Sequence, residues 1–396
     1  MPDNRKPDKA GAKNVKLTDG RKKTLKILAL VLIILMLILL ALTSFNIASL
    51  SSLRDGLKNS FSKMAPGGGY PYQVNSSRVS KVTALNDDVF VLMDDKTVTL
   101  DGSAKAINTI EHSFADPGVA ISGSRALVFN RNENRYFVQN RTGTLYSGKT
   151  GEGEKIITGA IGKKGNIALA TLSDKAASRL TVINSTYKDK VFVWNCADYT
   201  ISSAALSDDG KYAAVSVFGT KGGDSFSKVF VFDFDYADPV SETEFPGTAI
   251  VSVNFSNNNN VVAIGDNKTV FLRGLKKPKE IEYGNSTLAA FAYSEAGETI
   301  LALAEYGSMN SQVLNCYSET GRVSFSKDYT TAVRGVYASN NRVAVLTSNQ
   351  VDLYSLSGTK FRSRQADSSA ISAFVMGNKT YVFRQGAIEK AAKVKS

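Results

Sequence analysis

Few residues of this 396-residue chain have types and spacings that support chemistry. The single histidine, His112, would have to serve any Ser-His-Asp triad, yet no Gly-x-Ser-x-Gly motif offers a nucleophile. We therefore interpret His112 as a surface loop residue. One histidine excludes multi-histidine metal sites, and two cysteines exclude a disulfide framework or a cysteine zinc cluster.

Three further groups invite a functional interpretation. The segment 233–238 carries three closely spaced aspartates, but Pro239 follows where a calcium loop needs further ligands, which favours a strand end and a turn. Cys196 and Cys316 are far apart in sequence and are predicted to be free, partly buried thiols. Paired carboxylates for glycoside hydrolysis stay open, because such partners are distant in the chain and nothing selects a pair. The sequence therefore predicts no catalytic residue, no metal site and no cofactor, and it leaves the ligand-binding residues unknown.

An apolar segment predicts a membrane anchor. Residues 27–53 contain no charged side chain, and residues 27–42 are all apolar. About 20 such residues cross a hydrocarbon core of roughly 30 Å, which predicts a transmembrane helix over 27–47. The run is longer than a signal-peptide core, and no small-residue cleavage site follows it. We expect an uncleaved signal anchor that contacts the lipid bilayer.

The charge of the chain is concentrated before this anchor. The whole chain carries 48 Lys and Arg against 36 Asp and Glu, a net charge of +12, and residues 1–26 hold nine of the former against three Asp. Basic residues favour the cytoplasmic side, so we expect a disordered cytoplasmic tail over 1–26 and the rest outside the plasma membrane. Because the membrane accounts for the basic tail, nucleic acid is not a predicted partner.

The segment 48–69 has a helical period that ends at a hinge. Five apolar residues recur at steps of three and four, and the hinge is Pro66-Gly67-Gly68-Gly69. The periodic residues are Leu50, Leu53, Leu57, Phe61 and Met64. The period fits an outward extension of the membrane helix, and it also fits a weak homodimer through residues 50–64, since two heptads are marginal for a coiled coil.

From Tyr70 onward the chain repeats a strand, a tight turn and a strand. The clearest unit is 201–217, whose turn is Ser207-Asp208-Asp209-Gly210, and similar phrases return at 251–264 and 288–303. Third and fourth strands follow each pair. The repeats begin near residues 79, 118, 157, 200, 248, 288, 332 and 370, and a spacing of about 40–45 residues is that of a four-stranded propeller blade.

The phrase Ser-Asp-Asp-Gly-Lys-Tyr at 207–212, between small apolar strands, resembles the repeat of WD-like and TolB-like β-propellers. No Trp-Asp dipeptide closes a blade, so this is not a strict WD repeat. With its basic tail and single span, the chain is similar to an uncharacterised family of membrane-anchored propeller proteins of Gram-positive bacteria. That resemblance implies a fold and no activity.

These patterns predict an all-β fold, a propeller over 70–390 followed by a short tail, 391–396. Eight blades are expected, with seven as the alternative if the irregular region 118–195 holds fewer strands. The last repeat lacks an outer strand, which residues 69–75 are predicted to supply, so that the two ends of the propeller close the ring.

The predicted function is that of a non-catalytic binding or scaffold module at the bacterial cell envelope, with a protein partner. The alternatives are an envelope enzyme acting on polysaccharide or peptide, and a sensory subunit that signals through the single span.

Overall fold

The computed structural model describes residue 33 and residues 66–392 except 77, 309 and 340. The chain divides into two units, Met1–Leu57 and Lys58–Ser396. Of the first unit only Ile33 is described, in a helical conformation. Among the described residues, none belongs to an apolar helix long enough to cross a bilayer. The predicted tail, span and juxtamembrane helix lie outside the described residues, apart from Ile33.

The second unit folds as eight four-stranded antiparallel sheets, each a blade of a β-propeller. Blades 1 to 4 are β2 (Val79–Leu85), β3 (Asp88–Met93), β4 (Lys96–Leu100), β5 (Ala106–Glu111); β6 (Pro117–Ser122), β7 (Arg125–Asn130), β8 (Arg135–Asn140), β9 (Gly143–Lys149); β10 (Lys155–Ile161), β11 (Ile167–Ser173), β12 (Ala176–Ile183), β13 (Lys190–Cys196); and β14 (Thr200–Leu206), β15 (Tyr212–Lys221), β16 (Asp224–Asp233), β17 (Ser241–Pro246).

Blades 5 to 8 are β18 (Ile250–Asn257), β19 (Asn260–Gly265), β20 (Lys268–Arg273), β21 (Lys277–Glu282); β22 (Ser286–Tyr293), β23 (Thr299–Glu305), β24 (Gln312–Tyr317), β25 (Val323–Tyr329); β26 (Gly335–Ala338), β27 (Arg342–Leu346), β28 (Gln350–Ser355), β29 (Lys360–Gln365); and β30 (Ala370–Met376), β31 (Lys379–Arg384), β32 (Ala387–Lys390), β1 (Tyr72–Gln73). The predicted repeat starts fall within three residues of the first strands of these blades. The alternative of seven blades is wrong, because residues 117–196 form two complete blades.

The ring closes as the sequence predicts. β1 pairs with β32, with Tyr72 opposite Ile388 and Gln73 opposite Ala387. The first strands of blades 1 and 8, β2 and β30, also contact each other. The outer strand of the last blade therefore comes from the start of the propeller, and one sheet holds both ends of the ring.

The core is divided among the blades rather than gathered at the centre. Eight clusters of buried apolar side chains are described, one between each pair of neighbouring blades. Second strands such as β3 are buried along their whole length, whereas outer strands such as β21 alternate between exposed and half-buried residues. This gradient follows from the position of each strand, because a second strand is covered on both faces by adjacent blades.

The innermost strands share a local irregularity. In six of the eight described blades, the pairing of the first and second strands skips one residue near the start of the first strand. Such a β-bulge leaves the extra residue outside the hydrogen-bonded ladder, at the free inner edge of the sheet. This position accounts for the exposure of Val251 (49%) and Ile371 (56%) on strands that line the channel. The skipped residues are Ser80, Ile157, Ser202, Val251, Ala289 and Ile371.

Two faces of the ring follow from the topology. The turn face carries the links between the first and second strands and between the third and fourth strands of each blade. The connection face carries the links between second and third strands and the links from blade to blade. The described chain reaches the ring on the turn face, where Gly67 N–H donates to Ser103 Oγ (2.8 Å) and Gly69 N–H donates to Ser103 O (3.0 Å) in the β4–β5 link.

Candidate functional site

His112 is a packing residue rather than a fully exposed loop residue. It directly follows β5 and is half-buried, and its ring stacks on Phe114 with centroids 4.8 Å apart. The backbone N–H of Phe114 donates to Nδ1 (3.3 Å), while Nε2 is buried without a hydrogen-bond partner. Burial lowers the pKa of His112, which favours the neutral ring. None of these contacts supplies the serine or the carboxylate of a triad.

The aspartates of segment 233–238 form a turn, as the sequence predicts. Asp233 Oδ1 accepts a hydrogen bond from Asp235 N–H (3.1 Å), and Asp233 O accepts one from Tyr236 N–H (3.0 Å). Within the described part of the chain, no group of three or more metal-ligating side chains comes together. The segment therefore ends β16 and reverses the chain.

The two cysteines are free and buried, which confirms the prediction from their spacing. Cys196 lies on β13 in blade 3, and Cys316 lies on β24 in blade 6. Burial raises the pKa of both thiols, that of Cys316 to about 12. Protonated thiols are poor nucleophiles, so these cysteines act as small apolar core residues.

The Ser207–Gly210 segment is one of four equivalent turns among the described residues of the turn face. In each, the serine O accepts a hydrogen bond from the glycine N–H three residues later, and the glycine has a positive φ. The serine Oγ accepts a further bond from the residue after the glycine. The turns are 207–210, 294–297, 318–321 and 355–358. Turns 318–321 and 355–358 link third and fourth strands, and they were not predicted from the sequence. Their Ser-x-x-Gly pattern is the sequence signal that marks them.

The main concave feature of the described ring is the mouth of the channel on the turn face. It encloses about 720 Å³, and all eight blades line it with residues of their first strands or of the links that follow those strands. Its charged side chains are of both signs, with Asp87, Asp208 and Glu295 against Lys163 and Arg342. Every blade contributes at least one polar lining residue, as shown by Asn86, Ser122, Lys163, Asp208, Asn254, Glu295, Arg342 and Asn378.

Lys163 extends across part of this mouth. Its Nζ lies 2.6 Å from Oδ2 of Asp208 in the next blade and 3.3 Å from the carbonyl oxygen of Glu295 in blade 6. Arg342 joins blades 7 and 8 in a similar way, donating to Gly377 O (3.1 Å) and Asn378 Oδ1 (2.8 Å). The two cations are therefore held by partners from other blades, and their positions depend on the closed ring.

Two tyrosines supply neutral hydrogen-bonding groups at the mouth. Tyr293 Oη donates to Ser252 Oγ (2.9 Å), and burial raises its pKa. Burial, with the charge of Glu295 as a smaller cause, raises the pKa of Tyr337 to about 12. Phenols with such values stay protonated at neutral pH, so they suit recognition of polar groups better than proton transfer.

The closed ring defines a β-propeller of eight four-stranded blades, with a polar mouth on its turn face. The chain belongs to a family of unknown function (DUF5711), which matches residues 70–391. A search of curated proteins finds no match.

Solved propellers resemble the chain in fold alone. BamB from Moraxella catarrhalis is 10% identical with a TM-score of 0.50, and the match covers 82% of this chain and 100% of that chain. Sqt1 from Saccharomyces cerevisiae is 8% identical with a TM-score of 0.56, covering 84% and 100%. The Dos1 propeller is 13% identical with a TM-score of 0.54, covering 74% and 83%. At these identities the likeness carries no ligand or activity to this chain.

Proposed function

We propose that the protein is a non-catalytic binding module, and that the mouth on the turn face holds its protein partner at the bacterial cell envelope. The observation that carries this proposal is the convergence of side chains from all eight blades on one cavity. Rigid strands position these side chains, and links between strands are where propellers place their binding residues. The mixed charges and neutral phenols fit a polar protein surface.

The location in this proposal comes from the sequence. The apolar segment 27–47 would anchor the chain in the plasma membrane, and the basic residues before it would keep the N-terminus in the cytoplasm. The ring would then lie outside, and residues 50–64 could join two copies. Protease added to intact protoplasts tests this topology: the propeller should be cut while residues 1–26 stay protected. Protection of the propeller would contradict the proposed location.

The binding role is tested by affinity capture of the full-length chain from membranes, with mass spectrometry of the bound proteins. Lys163→Glu reverses the charge that spans the mouth. Its ion pair with Asp208 is exposed, so the substitution should cost no more than about 1 kcal/mol of stability. Lys175→Glu is the matched control, because this exposed lysine lies in the β11–β12 link on the connection face.

We expect one partner to be captured by the wild type and by Lys175→Glu and to be lost with Lys163→Glu. Capture that is equal for all three chains would show that the mouth is not the binding surface. Loss with both variants would point to general damage and would also contradict the proposal.

A further inference from the structure

A second cavity lies on the connection face, between blades 1 and 2. It encloses about 470 Å³, and the starts of β2 and β6 line it together with the link after β7. Three of its side chains are cationic, Arg78, Lys81 and Arg131, and one is anionic, Asp116. The cavity therefore has a net charge of about +2 at neutral pH.

The local structure of blade 2 positions one of these cations. Gly118 has no side chain, and a Cβ there would lie 2.5 Å from Cε2 of Phe129 and 3.1 Å from Cζ of Arg131. The glycine thus lets the Phe129 ring approach β6, and the Arg131 guanidinium rests over that ring at 5.6 Å from its centroid. Asp116 Oδ1 accepts a hydrogen bond from Arg131 Nη1 (3.2 Å). Arg131 is thereby held at the wall of the cavity.

Lys81 is the unusual member of the set. It follows the bulged residue Ser80 on the innermost strand of blade 1. Its side chain is exposed to solvent at the cavity, and partial desolvation by the surrounding protein lowers its pKa. Within residues 66–392, as far as they are described, no carboxylate pairs with Lys81 or with the Arg78 guanidinium. The Lys81 ammonium group is therefore open to the cavity and has no counter-charge among the described residues.

We propose that this cavity binds an oxyanion group, a phosphate or a carboxylate, with Lys81, Arg78 and Arg131 as its ligands. A bound anion would pair with the Lys81 ammonium group, for which the described residues supply no carboxylate. Guanidinium groups match the oxygens of such anions with paired N–H donors, while Lys81 contributes a point charge. The site is on the opposite face from the mouth, so its occupation does not depend on the partner proposed there.

Thermal unfolding of the full-length chain in detergent tests the proposal, with inorganic phosphate as the probe and chloride at equal ionic strength as the reference. Phosphate should raise the midpoint of the wild type in a concentration-dependent manner. Lys81→Met should weaken the apparent phosphate affinity by about 10- to 100-fold, which is the loss of one charge-assisted hydrogen bond. Lys175→Met, at an exposed lysine of the same face, should leave the phosphate effect unchanged.

A second property of Lys81→Met separates a binding role from a loss of folding. Because Lys81 is exposed and has no carboxylate partner among the described residues, the variant should melt at nearly the same temperature as the wild type in chloride. A wild type that does not respond to phosphate, or a phosphate effect equal in wild type and Lys81→Met, would overturn the proposal. Long-chain polyphosphate serves as a parallel probe: tighter binding than inorganic phosphate would identify a polymer, and weaker binding would identify a small molecule as the source of the anion.

Chemical labelling gives a measurement that needs no variant. The aldehyde of pyridoxal phosphate condenses with a neutral lysine amine to form an imine and water, and borohydride then reduces the imine to a stable secondary amine. Lys81 should be labelled faster than Lys175, and inorganic phosphate should protect it. Pyridoxal, which lacks the phosphate, should show a smaller selectivity, because only the lowered pKa of Lys81 then favours its labelling. Labelling of Lys81 that phosphate does not reduce would contradict an anion site.

Discussion

Blades 4 and 8 have the same four strands but are assembled in different ways. Blade 4 is continuous in sequence, and its two central strands, β15 and β16, pair over ten residues each. Blade 8 takes its outer strand from the other end of the propeller, and β1 contributes only two paired residues. Blade 4 can therefore form from local contacts, whereas the outer strand of blade 8 joins only when the ring closes, which costs loop entropy before that pairing forms.

Side chains and loop contacts compensate for the short ladder of blade 8. The Tyr70 ring lies edge-on to Tyr381 with centroids 5.0 Å apart, and Lys390 Nζ lies 4.8 Å from the centre of the Tyr70 ring. Val74 is buried, and its N–H donates to Gly386 O (2.7 Å). The ring therefore closes largely through side-chain packing at its seam, whereas blade 4 is held by long backbone ladders.

Deletion of residues 66–76, which removes the seam strand of blade 8, should lower the stability of the propeller more than any other change considered below. The variant loses the β1 ladder, the buried Val74 and the Tyr70 contacts, which together contribute about 5 kcal/mol or more. We expect the single melting transition of the whole propeller to move to a much lower temperature in calorimetry. Deletion of residues 3–13, the same number of residues from the predicted tail, is the control. An unchanged transition after the 66–76 deletion would show that the seam does not hold the ring.

Valine substitutions at Gly210 in blade 4 and at Gly386 in blade 8 should lower stability by similar amounts, and by less than the deletion. Gly210 in blade 4 has a φ of 70° and Gly386 in blade 8 has a φ of 77°. No atom crowds a Cβ at Gly386, and the nearest atoms to a Cβ at Gly210 are at 3.5 Å, an ordinary contact. The cost is therefore backbone strain alone, about 1–3 kcal/mol at each site. Chemical denaturation measures the free energy of unfolding of both variants. A Gly210→Val variant as stable as the wild type would contradict the requirement for a positive φ in this turn.

Acid should weaken the seam through Asp101. Partial burial raises the pKa of Asp101, but hydrogen bonds from Ser103 and Lys105 outweigh it, so the pKa lies below its usual value. The folded state then favours the carboxylate, and its contribution is complete above the unfolded pKa of about 3.9 and is lost as the pH falls through the folded value.

Ser103 also accepts hydrogen bonds from the N–H groups of Gly67 and Gly69. Protonation of Asp101 should therefore loosen the seam. Urea titrations of full-length wild type and Asp101→Asn between pH 7 and pH 3 measure this effect. The difference in stability between the two chains should shrink as the pH falls below about 4. Asp198→Asn, at an exposed aspartate, should follow the wild type throughout. A constant difference between wild type and Asp101→Asn would rule out this linkage.

The smallest effect is expected from Asp208→Asn in blade 4. Asp208 pairs with Lys163 at 2.6 Å, but both side chains are exposed, so the substitution should cost well under 1 kcal/mol. Denaturation with and without calcium checks this expectation. A calcium-dependent stability that disappears in Asp208→Asn would identify the turn as a metal site rather than turn chemistry.

The fold was predictable because a blade is a local structure. The Ser207–Gly210 phrase marks a turn through its own side chains, and its repetition fixes the spacing of blades. The seam was also predictable, since the last repeat lacks one strand and residues 69–75 could supply it. The turn phrase and the strands of a repeat consist of residues that are close together in the chain, so the sequence alone reveals them.

The candidate sites were not predictable because their residues are far apart in the chain and meet only in the closed ring. Lys163 meets Glu295 only because the ring brings blades 3 and 6 to one mouth. Likewise, Arg131 meets Lys81 at one cavity only because blades 1 and 2 are neighbours, and Gly118 in β6 leaves room for the Phe129 ring on which Arg131 rests. No local pattern marks such convergence, so the sequence left the ligand-binding residues unknown.

Native-state hydrogen exchange of the full-length chain tests most directly whether both kinds of blade belong to one closed unit. The amides of Val74 at the seam and of Val215 within blade 4 are the probes. If closure makes the ring a single cooperative unit, both amides should exchange with the same free energy of opening, equal to that of global unfolding. Exchange of Val74 at a much lower free energy, with Val215 still protected, would show that the seam opens alone and would contradict the account.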